Sequence, residues 1–235
     1  MLVICLAGFI MLPMSRKSIK TKAMIFDMDG VITNTMPDHF RAWKEVLARE
    51  GVTVTHEDIY SREGQKGIHS VKELFDKYHK KFTPEKAHEL LDKKEALFKK
   101  IVKTRFIPSS RSFLKKLQDI QIRLALVTGT SRHEMHRILP DNIYERFEVV
   151  VTGSDVTHGK PHPEPFQMAL KGLDLSAADS MVLENAPFGI RSAKAAGIRC
   201  VALATSLGRS YLKEADFIFS SFEEMERKLE FEKDV

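Results

Sequence analysis

Cysteine is scarce in this 235-residue chain, with only Cys5 and Cys200 present. Two such distant cysteines offer neither a metal-type spacing nor a disulfide framework, which places the chain in a reducing compartment. Internal repeats and low-complexity stretches are missing, which excludes a repeat array and a compositionally biased tail. There is no nucleic-acid motif and no cluster mixing basic and aromatic residues. The net charge of +5 is therefore not read as a nucleic-acid footprint. Nor does the N-terminal apolar run reach spanning length. MLVICLAGFIML, residues 1–12, is too short for a comfortable membrane helix; no basic residue precedes it and no small-x-small cleavage site follows. We read residues 1–21 as an N-terminal tail from an over-extended start, with Met14 and Met24 as later starts. A membrane anchor is the less favoured reading, and we expect a cytoplasmic protein.

What is present describes a packed globule. Hydrophobic residues make up 43% of the chain and charged ones 29%, enough for a core and against wholesale disorder. The length exceeds one minimal domain and falls short of two, which fits a core with one inserted subdomain. Apolar runs at 22–26, 123–128, 148–152, 180–184 and 199–205 read as strands, with a shorter one at 217–219. Helical patterns at 110–118, 132–139, 164–172, 188–196 and 221–230 separate or follow them. Strands that are continuously apolar and alternate with helices predict a doubly wound parallel α/β sheet covered on both faces.

Residues 37–105 break that rhythm. They hold helix-like stretches at 39–49, 71–80 and 85–102 and no convincing strand. Thr83-Pro84 opens the last as N-cap and first-turn proline. We expect an α-helical cap over 37–105, inserted into a core built from 22–36 and 106–235. The cap carries 16 Lys/Arg against 12 Asp/Glu, a balance read as solvated helix faces.

Four stretches could carry chemistry. Asp27-Met-Asp29-Gly30-Val31 follows the first strand and puts two carboxylates near one ligand. Asp27 can attack phosphorus and ligate a cation, and Asp29 can move the proton, work worth about 10²–10⁴-fold in rate. Two carboxylates facing a phosphate need a hard cation, and oxygen ligands select Mg2+. The same residues also fit an acidic turn or a helix cap. Thr128-Gly129-Thr130 offers a hydroxyl and backbone N–H groups to phosphate oxygens, or makes a plain turn. Gly159-Lys160-Pro161-His162-Pro163 fixes one ammonium that can offset developing negative charge. Glu184-Asn185-Ala186-Pro187 supplies oxygen ligands at another strand end.

In order and spacing these motifs resemble the signatures of the haloacid dehalogenase superfamily, over residues 22–220. DMDGVITNTMPDHFRAWKEVL resembles the opening of its β-phosphoglucomutase-like members, which carry a helical cap at that place. The resemblance implies a Mg2+-dependent phosphatase working through an aspartyl-phosphate. It makes Asp27 the nucleophile, Asp29 the acid/base, and Thr128 and Lys160 the phosphate ligands. Asp27, the Asp29 carbonyl and Asn185 would hold the metal, with Glu184 supporting through water.

Two departures matter. The family's usual Glu-Asp is here Glu184-Asn185, which removes one negative charge. At ~5 Å and an effective dielectric near 20, that relieves at most about 3 kcal/mol of repulsion per unit of substrate charge, and so favours a highly anionic substrate. The E-N-A-P form resembles pyrophosphatase-like members, which points to His39, Glu63 and Lys94 as substrate-binding residues beside Gly129 and Thr130. His39 and Lys94 also fit a solvated or capping role, and Glu63 also fits a turn acid. The stretch Glu63–Ser70 holds no arginine where the mutase-like caps present one for a distal phosphate. Trp43 and the helically spaced phenylalanines are read as core. We expect hydrolysis of a small phosphorylated metabolite or of pyrophosphate. A sugar phosphomutase and a weakly catalytic phosphometabolite-binding protein are the alternatives. No nucleic-acid or membrane partner is expected, and the chain should be a monomer or weak dimer.

Overall fold

The computed structural model of the protein describes residues 16–234. In chain order, β1 (Lys17–Thr21) and β2 (Ala23–Phe26) precede a helical block of α1 (Met36–Ala48), α2 (His56–Tyr60), α3 (Gly67–Lys77) and α4 (Pro84–Ile101). Then come α5 (Ser110–Asp119), β3 (Arg123–Val127), α6 (Arg132–Ile138), α7 (Asp141–Tyr144), β4 (Val149–Val151) and α8 (Glu164–Leu173). β5 (Ser180–Glu184), α9 (Pro187–Ala195), β6 (Arg199–Leu203), β7 (Phe217–Phe219), α10 (Phe222–Lys228) and β8 (Leu229–Lys233) complete the chain.

Six strands form one parallel sheet in the order β4-β3-β2-β5-β6-β7. The chain first builds outward from β2 through β3 to β4, then returns to the other side of β2 for β5 onward. The strand order therefore reverses between β2 and β5, the place where open α/β sheets leave a crevice at their carboxyl ends. Both faces are covered because alternate side chains feed different cores. Met24, Phe26, Leu124, Leu126, Met181 and Leu183 join one cluster. Ala23, Ile25, Ala125, Val127, Val182 and Cys200 join the other. Phe26 is fully buried, edge-on to Phe113 and Phe147, and such burial is worth roughly 1.5–3 kcal/mol. This is the doubly wound sheet expected from the apolar runs.

The helical block has a core of its own, where Trp43, Leu47, Val71, Leu74, Phe75 and Leu90 meet. Thr83 caps α4 by accepting from the Lys86 N–H at 3.2 Å, with Pro84 in the first turn. Phe98, further along α4, packs instead into the core beneath the sheet. One helix thus ties the block to the α/β body.

Two of the expected segments are built differently, and the short helices α2 and α7 were not expected. The tail expected over 1–21 includes β1, which pairs in parallel with β8; residues 1–15 lie outside the described residues. The helix expected over 221–230 stops at Lys228, and Leu229–Lys233 is strand. Leu229 and Phe231 point inward while Glu230 and Glu232 point out. That two-residue period prevails over the helical one. No helix among the described residues is long and apolar enough to cross a membrane.

Candidate active site

The crevice between β2 and β5 is where the sequence motifs meet. Asp27 follows β2 directly, and its N–H donates to the Leu183 carbonyl at 2.9 Å. This bond continues the β2–β5 ladder by one residue and fixes the Asp27 backbone. Its side chain is 2% exposed. Lys160 Nζ donates to Asp27 Oδ1 at 2.6 Å, to Glu184 Oε1 at 2.8 Å and to the Val127 carbonyl at 3.2 Å. Burial would lower the Lys160 pKa, but the Asp27 and Glu184 carboxylates beside it carry it above the ordinary lysine value. Burial pushes the Asp27 carboxyl well up. Lys160 opposes that shift, while Glu184, Asp29 and Glu63 add to it.

Asp29 is turned away from Lys160. Its Oδ2 accepts from Thr130 Oγ1 at 2.9 Å and from Thr128 Oγ1 at 3.4 Å, and Thr35 Oγ1 donates to its Oδ1. His39 Nε2 lies 3.6 Å from the same Oδ1. Burial alone would raise this carboxyl, yet His39, Thr35 and Thr130 together hold it below the usual range. Thr35 is the N-cap of α1 but makes no side-chain cap, since its hydroxyl is committed to Asp29.

A cation fits this donor set. Three buried carboxylates, Asp27, Asp29 and Glu184, share the crevice with one lysine, which pairs with Asp27 and Glu184. Two buried oxygens, Asp27 Oδ2 and Asn185 Oδ1, have no hydrogen-bond donor. Buried acceptors without partners are rare, and hard oxygens at neighbouring strand ends suit a hard divalent ion. Asn185 Nδ2 donates to Ser206 Oγ at 2.9 Å, which aims the amide with its oxygen free. Gly30, at φ +89, leaves the room this amide needs, because a Cβ there would meet Asn185 Cγ at 2.9 Å. Glu184 is differently employed. Lys160 takes its Oε1, and the N–H groups of Asn185 and Ala186 take Oε2 at 2.7 and 2.8 Å. Its carboxylate orients the lysine and the loop.

The helical block closes over this crevice. Gly64, at φ +78, lies against Gly129, and a Cβ on Gly64 would meet Lys160 Cδ at 2.7 Å. Gln65 forms a parallel bridge with Lys160, and Lys66 Nζ donates to the Thr157 carbonyl. Beneath this loop is a cavity of about 190 Å³ lined by His39, Glu63, Lys94, Gly129 and Thr130, among others. A second, of about 310 Å³, runs past Gly64 and Gly129 to Thr128 and Lys160. His39 stacks on Phe98 with ring centroids 4.0 Å apart, its buried Nε2 within ion-pair distance of Asp29 but outside hydrogen-bond distance of any acceptor. Burial raises the Glu63 carboxyl and lowers the Lys94 ammonium from their ordinary values.

All eleven sequence-derived residues thus lie in the crevice or the cavity. Four others were not foreseen: Thr35, Trp43, Arg62 and Glu134. Trp43, read as core, also lines the cavity wall. Arg62 lines it too, but its guanidinium is engaged within the cap by Glu73 at 3.1 Å and the Asp58 carbonyl at 2.8 Å. A threonine before a Met-Pro helix start was a visible signal for Thr35. Nothing in the local sequence marked Glu134.

Comparison with known proteins agrees with this architecture. The model of the haloacid dehalogenase-like hydrolases matches residues 24–203. The phosphorylated carbohydrates phosphatase of Thermotoga maritima is 31% identical over 185 residues, covering 75% of this chain and 82% of that protein. The β-phosphoglucomutase of Bacillus subtilis is 31% identical over 189 residues, covering 77% and 82%. Among solved structures, a putative β-phosphoglucomutase from Bacteroides vulgatus aligns with a TM-score of 0.77 at 32% identity, covering 88% of this chain and 86% of that one.

Proposed function

The chain belongs to the haloacid dehalogenase-like hydrolase family and is a phosphatase of phosphorylated small molecules; from that premise we propose a Mg2+-dependent phosphohydrolase that forms a phosphoenzyme on Asp27. The observation that carries the reading is the pairing of Asp27 with Lys160 beside two donorless buried oxygens, Asp27 Oδ2 and Asn185 Oδ1. Those two oxygens and the Asp29 carbonyl would hold the magnesium ion. Bound there, it would neutralise phosphate charge as a Lewis acid.

The chain's own groups do the rest. Lys160, held by Asp27 and Glu184, is positioned to balance charge on the phosphoryl oxygens without paying to reorganise. Asp27 attacks phosphorus, forming a P–O bond as the bond to the leaving oxygen breaks. Asp29, which its neighbours hold ionised in the free protein, must take up a proton before it can give one to that oxygen. It then takes a proton from the water that attacks the aspartyl-phosphate, releasing phosphate and restoring Asp27. Thr128 and the Gly129 N–H would meet phosphate oxygens, while the Thr130 N–H donates to Thr128 Oγ1 at 3.1 Å, and the Gly64 loop would keep bulk water out.

Hydrolysis is favoured over mutase chemistry because Arg62, a cap arginine that lines the cavity, spends its guanidinium on Glu73 and the Asp58 carbonyl. The relatives' names support a carbohydrate-like phosphate. The test is p-nitrophenyl phosphate turnover by the full chain, with magnesium and after chelation. We expect phosphate release that needs the metal. No release above the spontaneous rate at saturating magnesium would overturn the proposal.

A further inference from the structure

The cavity beneath the cap is lined by six Asp, Glu, Lys and Arg side chains, and three of them are paired. Asp58 pairs with Lys77, Arg62 with Glu73, and Glu95 with Lys99. Three make no such pair among the described residues: Glu63 from the cap loop, Lys94 from α4 and Glu134 from α6. Lys94 instead lies over the rings of Phe98 and Trp43, 4.7 and 5.9 Å from their centroids. Glu134 Oε2 accepts from Ser131 Oγ at 3.1 Å, whereas Oε1 is buried with no donor at all. The unmatched charge on this wall is thus two carboxylates against one ammonium.

That balance has a chemical consequence. A second phosphate on the substrate would need a cationic wall, and here Lys94, the one unpaired lysine or arginine of the cavity among the described residues, shares it with two acids. Hydroxyl groups suit the wall, because a donorless buried carboxylate oxygen accepts from them. We propose that Glu134 is a specificity-determining residue: it accepts a hydrogen bond from a hydroxyl of the substrate's non-transferred part and, by cancelling Lys94, turns away substrates with a second phosphate. Glu134 is the foremost of the acids that offset the lowering of the Lys94 pKa by burial. Asn185 acts at the transferred phosphate and Glu134 at the other end of the molecule. A neutral Asn185 therefore does not by itself select a highly anionic substrate. Pyrophosphate, with no hydroxylated part, gains nothing from this wall.

The inference rests on the phosphatase reading, and one assay separates the two. With p-nitrophenyl phosphate as reporter at saturating magnesium, the inhibition constants of glucose 6-phosphate and glucose 1,6-bisphosphate are measured. Wild type, Glu134→Gln and Lys94→Met are compared. Glutamine keeps the Ser131 contact and the helix start. We expect wild type to favour the monophosphate. Glu134→Gln should shift the ratio of the two constants about tenfold toward the bisphosphate, and Lys94→Met should shift it the other way. A residue that merely packs would change both constants together. A ratio that moves by less than about threefold, or in the same direction in both variants, overturns the inference, as does failure of both sugars to compete in wild type. If wild type does not turn over the reporter at all, the phosphatase reading itself has failed.

Discussion

Asp27 divides its two oxygens between different neighbours. Oδ1 is tied to Lys160 and Oδ2 has no donor, so one carboxylate can meet both an ammonium and a cation. An amide in its place keeps the size but loses the nucleophile, and Lys160 loses an anion. We expect Asp27→Asn to lower kcat with p-nitrophenyl phosphate by at least about 10³-fold while the fold persists, since Glu184 still holds the lysine. Steady-state kinetics on protein checked for deamidation by intact mass is the measurement. Loss of less than about tenfold would assign the attack to another group. At this scale the sequence was informative, because D-x-D-G at a strand end, a lone lysine between Gly159 and Pro161, and Glu184-Asn185 all stand where side chains can converge. Glu134 was silent, because a glutamate three residues into a helix reads first as an N-terminal helix acid.

Among the elements, α2 shows how a five-residue helix is held. Thr55 accepts from the Asp58 N–H, and Asp58 Oδ2 accepts from the Thr55 N–H at 2.9 Å, a reciprocal capping box. The same carboxylate accepts from Tyr78 Oη at 2.7 Å and Lys77 Nζ at 2.5 Å, which ties α2 to the end of α3. Burial would raise the Asp58 pKa, but Lys77, Thr55 and Tyr78 outweigh it and hold the carboxyl far below its ordinary value. A depressed folded pKa means stability that is present above the unfolded value, near 3.9, and lost as pH falls below it. Lys77 is half exposed, so its share is discounted for screening. We expect Asp58→Asn to cost about 1–3 kcal/mol at pH 7. The difference in melting temperature from wild type should narrow as pH falls below about 4. A difference constant from pH 7 to 3 would show that Asp58 is not held ionised. The sequence reading missed α2 for its shortness, and it carried α10 too far because Leu229 and Phe231 continue a helical count until β1 is there to pair with them.

At the scale of the whole molecule, function depends on how the cap loop meets the core. Gly64 sits at φ +78 with Lys160 and Gly129 against it. An L-residue there costs about 1–2 kcal/mol in backbone conformation alone, and its Cβ would displace Lys160. We expect Gly64→Ala to reduce kcat/KM for p-nitrophenyl phosphate by about tenfold or more, with little change in the far-ultraviolet spectrum. Kinetics indistinguishable from wild type would mean that the loop does not seat against Lys160 during turnover.

The sequence alone determined the class of the fold and the order of the motifs. Short, continuously apolar runs such as RLALV and SMVLE, alternating with helical patterns, suit strands covered on both faces, and that property resides in the residues themselves. It also marked Asp27, Asp29, Lys160 and Asn185, because spacing within a strand-end loop is local. The tertiary structure decided which partners these groups meet. Pairing of β2 with β5 brings Glu184 to Lys160 and leaves Asn185 Oδ1 without a donor. Thr35 leaves its helix cap to bond Asp29, and Glu134 faces a cavity bounded by residues from the cap. Each of these is a contact between side chains far apart in the chain, where burial and charge depend on what folds against them, and local pattern carries no record of that.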